Sequence, residues 1–246
     1  MTASLVGVTR RSLLALPVAG LAGCISSLVA QGPGAGSGND AAAAAAGGWH
    51  QVPLPGKQAT RYASTTKDGR DTVHARAERS ASMWRRKVEV PPEHLGQVQW
   101  SWRVDRLNPH ASIGDVDSED AVARVIFAFE GDRSRLSARN QAMFDLAQVL
   151  TGETPPYATL MYVWETSKPV GSVVVNPRSD RVRKWVVDSG PQHLGTWRVH
   201  QRDLAADFER AFGERPGHLV AIGKMTDADN TGFRAEAWYG PIELLG

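Results

Sequence analysis

Hydrophobic and polar residues alternate along much of the chain beyond residue 70. The clearest run is 98–104, where Val98, Trp100, Trp102 and Val104 share one parity and Gln99, Ser101 and Arg103 the other. A period of two buries one side of a strand and wets the other. Shorter runs of strand-forming residues occupy 73–78, 84–90, 121–130, 160–165, 172–176, 181–188, 197–201, 219–225 and 234–244, with Gly, Pro, Asn and Asp between them. Many short strands without alternating long helices predict a mainly β fold, an antiparallel β-sandwich or jelly roll.

Two segments break the period. Residues 137–150 place Met143, Leu146, Ala147 and Leu150 on one helical face and end near Gly152 and the Pro155-Pro156 stop. Residues 203–212 are better marked: Asp203 caps the amino end, Leu204, Phe208 and Phe212 form an apolar stripe, and Gly213 terminates the turn. Both helices are expected to pack over a sheet edge or a sandwich end. No internal repeat is present.

The first residues follow neither period. Arg10 and Arg11 precede an apolar run, 13–23, that is about half the roughly 20 residues a membrane-spanning helix needs. It therefore reads as a signal-peptide core. The run ends in Leu21-Ala22-Gly23-Cys24, similar to the bacterial lipobox, in which the cysteine is lipidated and becomes the first residue of the mature chain. The sequence Thr9-Arg10-Arg11-Ser12-Leu13-Leu14 also resembles a twin-arginine export motif; a general signal with two arginines is the alternative. Residues 25–48 are dominated by Gly, Ala and Ser, a tether of roughly 25 to 30 Å by random-coil scaling. The expected organisation is a signal peptide at 1–23, a lipidated Cys24 with its linker at 24–48, and one domain at 49–246. The protein would then be held to a membrane through lipid, facing the periplasm or exterior. The outer membrane is favoured because Ile25, not Asp, follows the cysteine.

Composition narrows the chemistry. Of the 28 Lys and Arg set against 26 Asp and Glu, the two in excess are Arg10 and Arg11, so the chain from Cys24 is neutral and gives no support to nucleic-acid binding. Cys24 is the single cysteine, so with it lipidated no disulfide, thiol nucleophile or cysteine-ligated zinc remains. The eight tryptophans invite carbohydrate binding, because sugar faces stack on exposed indoles. Trp100, Trp102, Trp164, Trp185, Trp197 and Trp238 lie in strands where burial is the default, which leaves Trp49 and Trp84 as the exposed pair.

Residues 226–232 contain Asp227, Asp229 and Asn230, hard oxygen donors suited to calcium, and Asp120 could join them from a second acidic cluster, Asp115, Asp117, Glu119 and Asp120. The loop departs from an EF-hand: Trp238 holds the twelfth position and its flanks read as strands. The same residues satisfy a hairpin turn, which is the favoured reading. Glu119, Arg124 and Glu236 are further ligand candidates. Two acids drawn from Asp117, Glu119, Asp120, Asp227, Asp229 and Glu236 could hydrolyse a glycosidic bond if folded together; solvated acids, one paired with Arg124, are the alternative. Arg198, His200 and Arg202 share a parity and read as a basic stripe or a solvated face.

Several stretches together, Ala77-Glu78-Arg79-Ser80-Ala81-Ser82, Trp100 to Val104, Glu119 to Val125, Arg202-Asp203 with Phe212-Gly213, and Thr226 to Gly232 leading to Ala237-Trp238-Tyr239-Gly240, resemble the bacterial family catalogued as domain of unknown function 3047. Glu119 stands where that family often shows Asp, and Pro241 where an Asp commonly follows the glycine. The resemblance implies an exported β-rich domain and no established activity. The leading expectation is a lipid-anchored envelope protein with a β-sandwich that binds a glycan, with calcium as a structural ion. The alternatives are a glycan hydrolase or lyase, and an interaction lipoprotein without a small ligand.

Overall fold

The computed structural model describes residues 47–245, so the expected export signal, Cys24 and nearly all of the linker lie outside the described residues. Twelve strands are present: β1 (Trp49–Pro53), β2 (Arg61–Lys67), β3 (Arg70–Glu78), β4 (Ser82–Val90), β5 (Gln97–Val104), β6 (Ala123–Phe129), β7 (Ala158–Glu165), β8 (Val173–Val175), β9 (Val182–Ser189), β10 (Trp197–Asp203), β11 (Leu219–Met225) and β12 (Arg234–Leu245). They form a seven-stranded sheet in the order β1-β4-β11-β6-β7-β9-β8 and a five-stranded sheet in the order β10-β5-β12-β3-β2. Every pairing is antiparallel except β7 with β9. The fold is the expected β-sandwich with two helices, α1 (Ala138–Thr151) and α2 (Leu204–Phe212).

All ten strands read from the pattern are found. β1 and β2 are additional, and they are edge strands: β2 buries little beyond Tyr62, so its sequence lacks the alternation that marks a strand with one dry face. Among the described residues, no helix is long and apolar enough to cross a membrane.

Inward residues of both sheets meet in one core. Trp100 and Trp102 of β5 are at most 1% exposed, as their parity predicts, and Trp100 stacks on Tyr162 of β7 with ring centroids 4.8 Å apart. Trp164 and Trp185 join them. Burying an indole removes about 150 to 250 Å² from water, roughly 4 to 6 kcal/mol each at about 25 cal/mol per Å². Buried polar handles fix the register: the Trp102 indole N–H donates to Asp188 at 2.7 Å and the Tyr162 hydroxyl to Asp207 at 2.6 Å.

α2 behaves as its stripe predicts. Asp203 caps it by accepting from the Ala206 N–H, Gly213 ends it in the left-handed conformation, and Leu204 and Phe208 are buried. α1 begins at the Ser137 cap and ends at Gly152, and its packed face is rotated from the one expected: Met143 and Ala147 are half-buried on it, while Leu146 and Leu150 are not part of it. Asn140 and Phe144 are buried, whereas Leu146 and Leu150 are 58% and 64% exposed. The reason is local: the Asn140 amide is held by Asp180 and Ser179, which turns that side of the helix inward.

Candidate functional sites

Residues 105–122 cross from β5 in one sheet to β6 in the other and bring the two acidic clusters together. Ile113 of this loop is fully buried with Ala121, Val163 and Val186, which anchors the loop on the seven-stranded sheet. Glu119 and Asp120 follow it inward, while Asp115 and Asp117 remain exposed. The acids at 119 and 120 are therefore buried, not solvated. Arg124 of β6, 3% exposed, donates to Asp227 at 2.7 Å and lies 3.6 Å from Glu119. Glu119 also receives the Lys184 ammonium and the Asn176 amide. Burial pushes the Asp227 carboxyl up to about 7 despite Arg124, and burial pushes the Lys184 ammonium down to about 8.

Asp120, Asp227 and Asp229 lie with carboxylate oxygens within 4.8 Å of one another. Their oxygens already have partners. Asp120 accepts from the Asn230 and Thr231 N–H groups, Asp227 from the Ala121 N–H and Arg124, and Asp229 is paired with Lys57. Asn230 donates its amide to the Val116 carbonyl. The arrangement is a turn tied back to the long loop, with Lys57 and Arg124 supplying positive charge. Calcium would take the place of Lys57, whose side chain is 42% exposed.

The other carboxylate candidate, Glu236, is on β12 in the five-stranded sheet, paired with Arg76 and Arg234 and 3.6 Å from His74. Burial would raise its carboxyl, and the two guanidiniums hold it below the ordinary range. Arg198, His200 and Arg202 form neither a basic stripe nor a solvated face. They turn inward onto carboxylates: Arg198 and His200 onto Asp188, at 2.9 and 2.8 Å, and Arg202 onto Asp207 at 2.6 Å. Those acceptors come from β9 and α2, so the local pattern of β10 could not reveal them.

Trp49 and Trp84 are half-buried on inward positions rather than exposed. Trp84 stacks on Tyr62 at 5.7 Å, and Trp49 packs against the core beneath Arg86 and Lys224.

The outward tryptophans are instead Trp197 and Trp238. On β12, Ala235, Ala237 and Tyr239 point inward, so Trp238 shares its face with Arg234 and Glu236. This parity was available in the sequence, but the general tendency of strand tryptophans to be buried outweighed it. Register places Trp197, Arg103, Trp238 and His74 side by side across β10, β5, β12 and β3. His74 lies flat on Trp238, 4.5 Å away and 5° from parallel, and the Lys67 ammonium sits 4.2 Å from the same ring. Arg103 bonds Asp68 and Asp105, both at 2.7 Å, and Asp68 also receives the Trp197 indole N–H. Gly240 continues this face; a side chain there would collide with the Ser101 hydroxyl. Two residues along from the Trp238 row, the same face opens into a polar cavity of about 410 Å³ whose lining includes Arg61, Arg76, Glu78, Arg79 and Arg234. Arg79 holds a left-handed φ of 50° at the turn from β3 to β4.

The outer face of the seven-stranded sheet carries a groove of about 480 Å³ with an apolar floor that includes Met83, Ile126, Met161 and Gly223. Arg85 and Glu153 form an ion pair of 2.9 Å on its rim.

A sequence profile described as protein of unknown function (DUF3047) matches residues 47–243, and the chain belongs to that family. No curated protein matches the chain. Among solved structures it is similar to the family 11 carbohydrate-binding module of the cellulosomal cellulase Lic26A-Cel5E of Clostridium thermocellum, with a TM-score of 0.39 and 7% identity over 80% of this chain and 87% of that one. It is also similar to the xyloglucanase domain of NopAA, a type three effector from Sinorhizobium fredii, in complex with cellobiose, with a TM-score of 0.34 and 8% identity over 80% of this chain and 95% of that one.

Proposed function

We propose that this DUF3047 member is an exported protein, lipid-anchored at Cys24, whose β-sandwich binds a glycan across the outer face of the five-stranded sheet. The observation that carries the reading is the row Trp197, Arg103, Trp238 and His74, aromatic and hydrogen-bonding side chains aligned across four strands and running into a polar cavity. Sugar rings are recognised by such a pairing, with C–H faces against indoles and hydroxyls against fixed charged groups. Lys67, at the end of β2, lies over Trp238 and pairs with Asp105 at 3.5 Å, and a sugar ring would take the place of its ammonium. Of the acids considered for hydrolysis, Glu119 and Asp227 are committed to buried ion pairs and Asp120 to backbone N–H groups, which favours binding over turnover.

Export rests on Arg10, Arg11, the apolar run 13–23 and the lipobox ending at Cys24. The linker would hold the sandwich near the membrane surface while leaving it free to reach envelope polysaccharide.

Affinity electrophoresis against neutral and acidic polysaccharides tests the reading. Retardation by at least one glycan, lost in Trp238→Ala and reduced in Trp197→Ala, is the expected result. Absence of retardation by the whole panel, or equal retardation of the Trp238→Ala variant, sinks it. A protein partner is the second reading, favoured by the apolar groove over Met83, Ile126 and Met161 and by Leu146, Val149 and Leu150 exposed on α1.

A further inference from the structure

Among the described residues, Lys224 and Arg86 lie on inward positions of the seven-stranded sheet without a carboxylate partner. Lys224 of β11 stands opposite Trp84 on one side and Val125 on the other, and Arg86 of β4 stands opposite Trp49 and Ile222. Both point into the interlayer space beside the edge strand β1. Lys224 is 4% exposed, and among the described residues its ammonium forms no ion pair with an acid. Arg86 likewise has no ion pair among the described residues; its buried Nε lacks an acceptor, as do those of Arg85, Arg124 and Arg183. The other buried cations are treated differently, since Arg124 is neutralised by Asp227 and Glu119, and Lys184 by Glu119.

What the pair does touch is an indole. The Lys224 ammonium lies 4.8 Å, and the Arg86 guanidinium 5.5 Å, from the centre of the Trp49 ring. Cation–π attraction is weak beside the penalty for desolvating two like charges side by side. The strain is visible in the ammonium, which burial and the neighbouring Arg86 push down to about 8. Trp84, stacked on Tyr62, extends the aromatic wall, and Gly48 packs along the Arg86 stem, 3.5 Å from where a Cβ would stand.

We propose that Lys224 and Arg86 hold the carboxylate of an acidic sugar, a uronic acid, whose ring lies against Trp49. A guanidinium gives an oxyanion directional donors, an ammonium gives it a point charge, and an indole accepts the apolar face of a pyranose. The site is separate from the outer face of the five-stranded sheet and does not depend on the glycan reading of that face.

Calorimetric titration of the purified protein with glucuronate, with glucose and with inorganic sulfate tests the assignment. Glucuronate should bind, glucose should not, and Lys224→Met should weaken glucuronate binding by about tenfold or more, the loss of a charge-assisted bond. Because Lys224→Met removes an unneutralised buried charge, its melting temperature should equal or exceed that of the parent, which separates lost binding from lost folding. Retardation by a neutral polysaccharide, which has no carboxylate for Lys224, should persist in Lys224→Met, so failure here and failure of the five-stranded face are distinguishable. Equal glucuronate affinity in Lys224→Met, or no heat with glucuronate, overturns the proposal. Binding of sulfate without glucuronate overturns the sugar and leaves a site for an inorganic oxyanion.

Discussion

Replacing Glu119 by Gln should destabilise the protein through a residue it leaves behind. In the native structure the Glu119 carboxylate neutralises Lys184, which is fully buried and otherwise bonded to the Ile113 carbonyl at 2.8 Å. Glu119 also serves the Asn176 amide at 3.1 Å and lies 3.6 Å from Arg124. Breaking a buried pair from one side typically costs about 3 to 5 kcal/mol. Gln keeps the shape and one acceptor, so the lower figure of about 3 kcal/mol applies, a fall in melting temperature of about 6 to 12 °C for a protein of this size. Lys184→Met should cost less, because Glu119 retains Arg124 and Asn176. The double variant Glu119→Gln, Lys184→Met should lie closer to the parent than Glu119→Gln alone, since no uncompensated ammonium remains. Thermal unfolding of the four proteins closes the cycle. A pH series adds an independent readout. Lys184 titrates near 8 in the folded protein and near 10.5 unfolded, so between those values the unfolded chain carries the extra proton and stability rises with pH. That part of the rise disappears in Lys184→Met. A fall under about 2 °C in Glu119→Gln, or strict additivity in the double variant, refutes the reasoning.

Three further outcomes follow from the same geometry. Asp227, raised to about 7 by burial, favours folding while it is protonated; its contribution is complete below about pH 4 and is lost as pH rises through 7, so Asp227→Asn should flatten urea-derived stability between those limits. Lys57→Met removes the ammonium paired with Asp229 from a group of three carboxylates, so millimolar calcium should raise the melting temperature of this variant more than that of the parent, and equal shifts would discount a cation site there. Cys24→Ala should move the protein from the membrane to the soluble fraction of expressing cells and abolish fatty-acid labelling, and continued membrane retention would count against the lipid anchor.

The layers of the sandwich were legible because parity is a local property. Val98, Trp100, Trp102 and Val104 announced their dry face without reference to any other strand, and Asp203 with Gly213 bracketed α2. What could not be read depended on partners distant in sequence. Arg198 and His200 look like surface residues until Asp188 is placed beneath them, and Leu146 and Leu150 look like a packing face until Asp180 claims Asn140. The candidate site divides in the same way. The approach of Asp120 to Asp227 and Asp229 was legible as a possibility from residue type, but its neutralisation by Arg124 and Lys57 required the path of the long loop. Trp238 was within reach, since it shares parity with Arg234 and Glu236, whereas the isolation of Lys224 depends on which acids fail to arrive.

The distribution of buried charge argues for function at the β1 edge. The chain beyond Cys24 is neutral overall, so acids are not scarce, and the fold brings Glu119, Asp120, Asp227 and Asp229 to one region around Arg124. There, buried cations are matched and the loop is tied by hydrogen bonds, as stability alone would dictate. At Lys224 and Arg86 the fold leaves positive charges that, among the described residues, have no carboxylate inside 4.0 Å, beside two half-buried tryptophans. A methionine at 224 would serve packing better, for an aliphatic chain of similar volume carries no desolvation penalty. A charge kept where the fold returns only a weak cation–π contact is what the proposed oxyanion site requires.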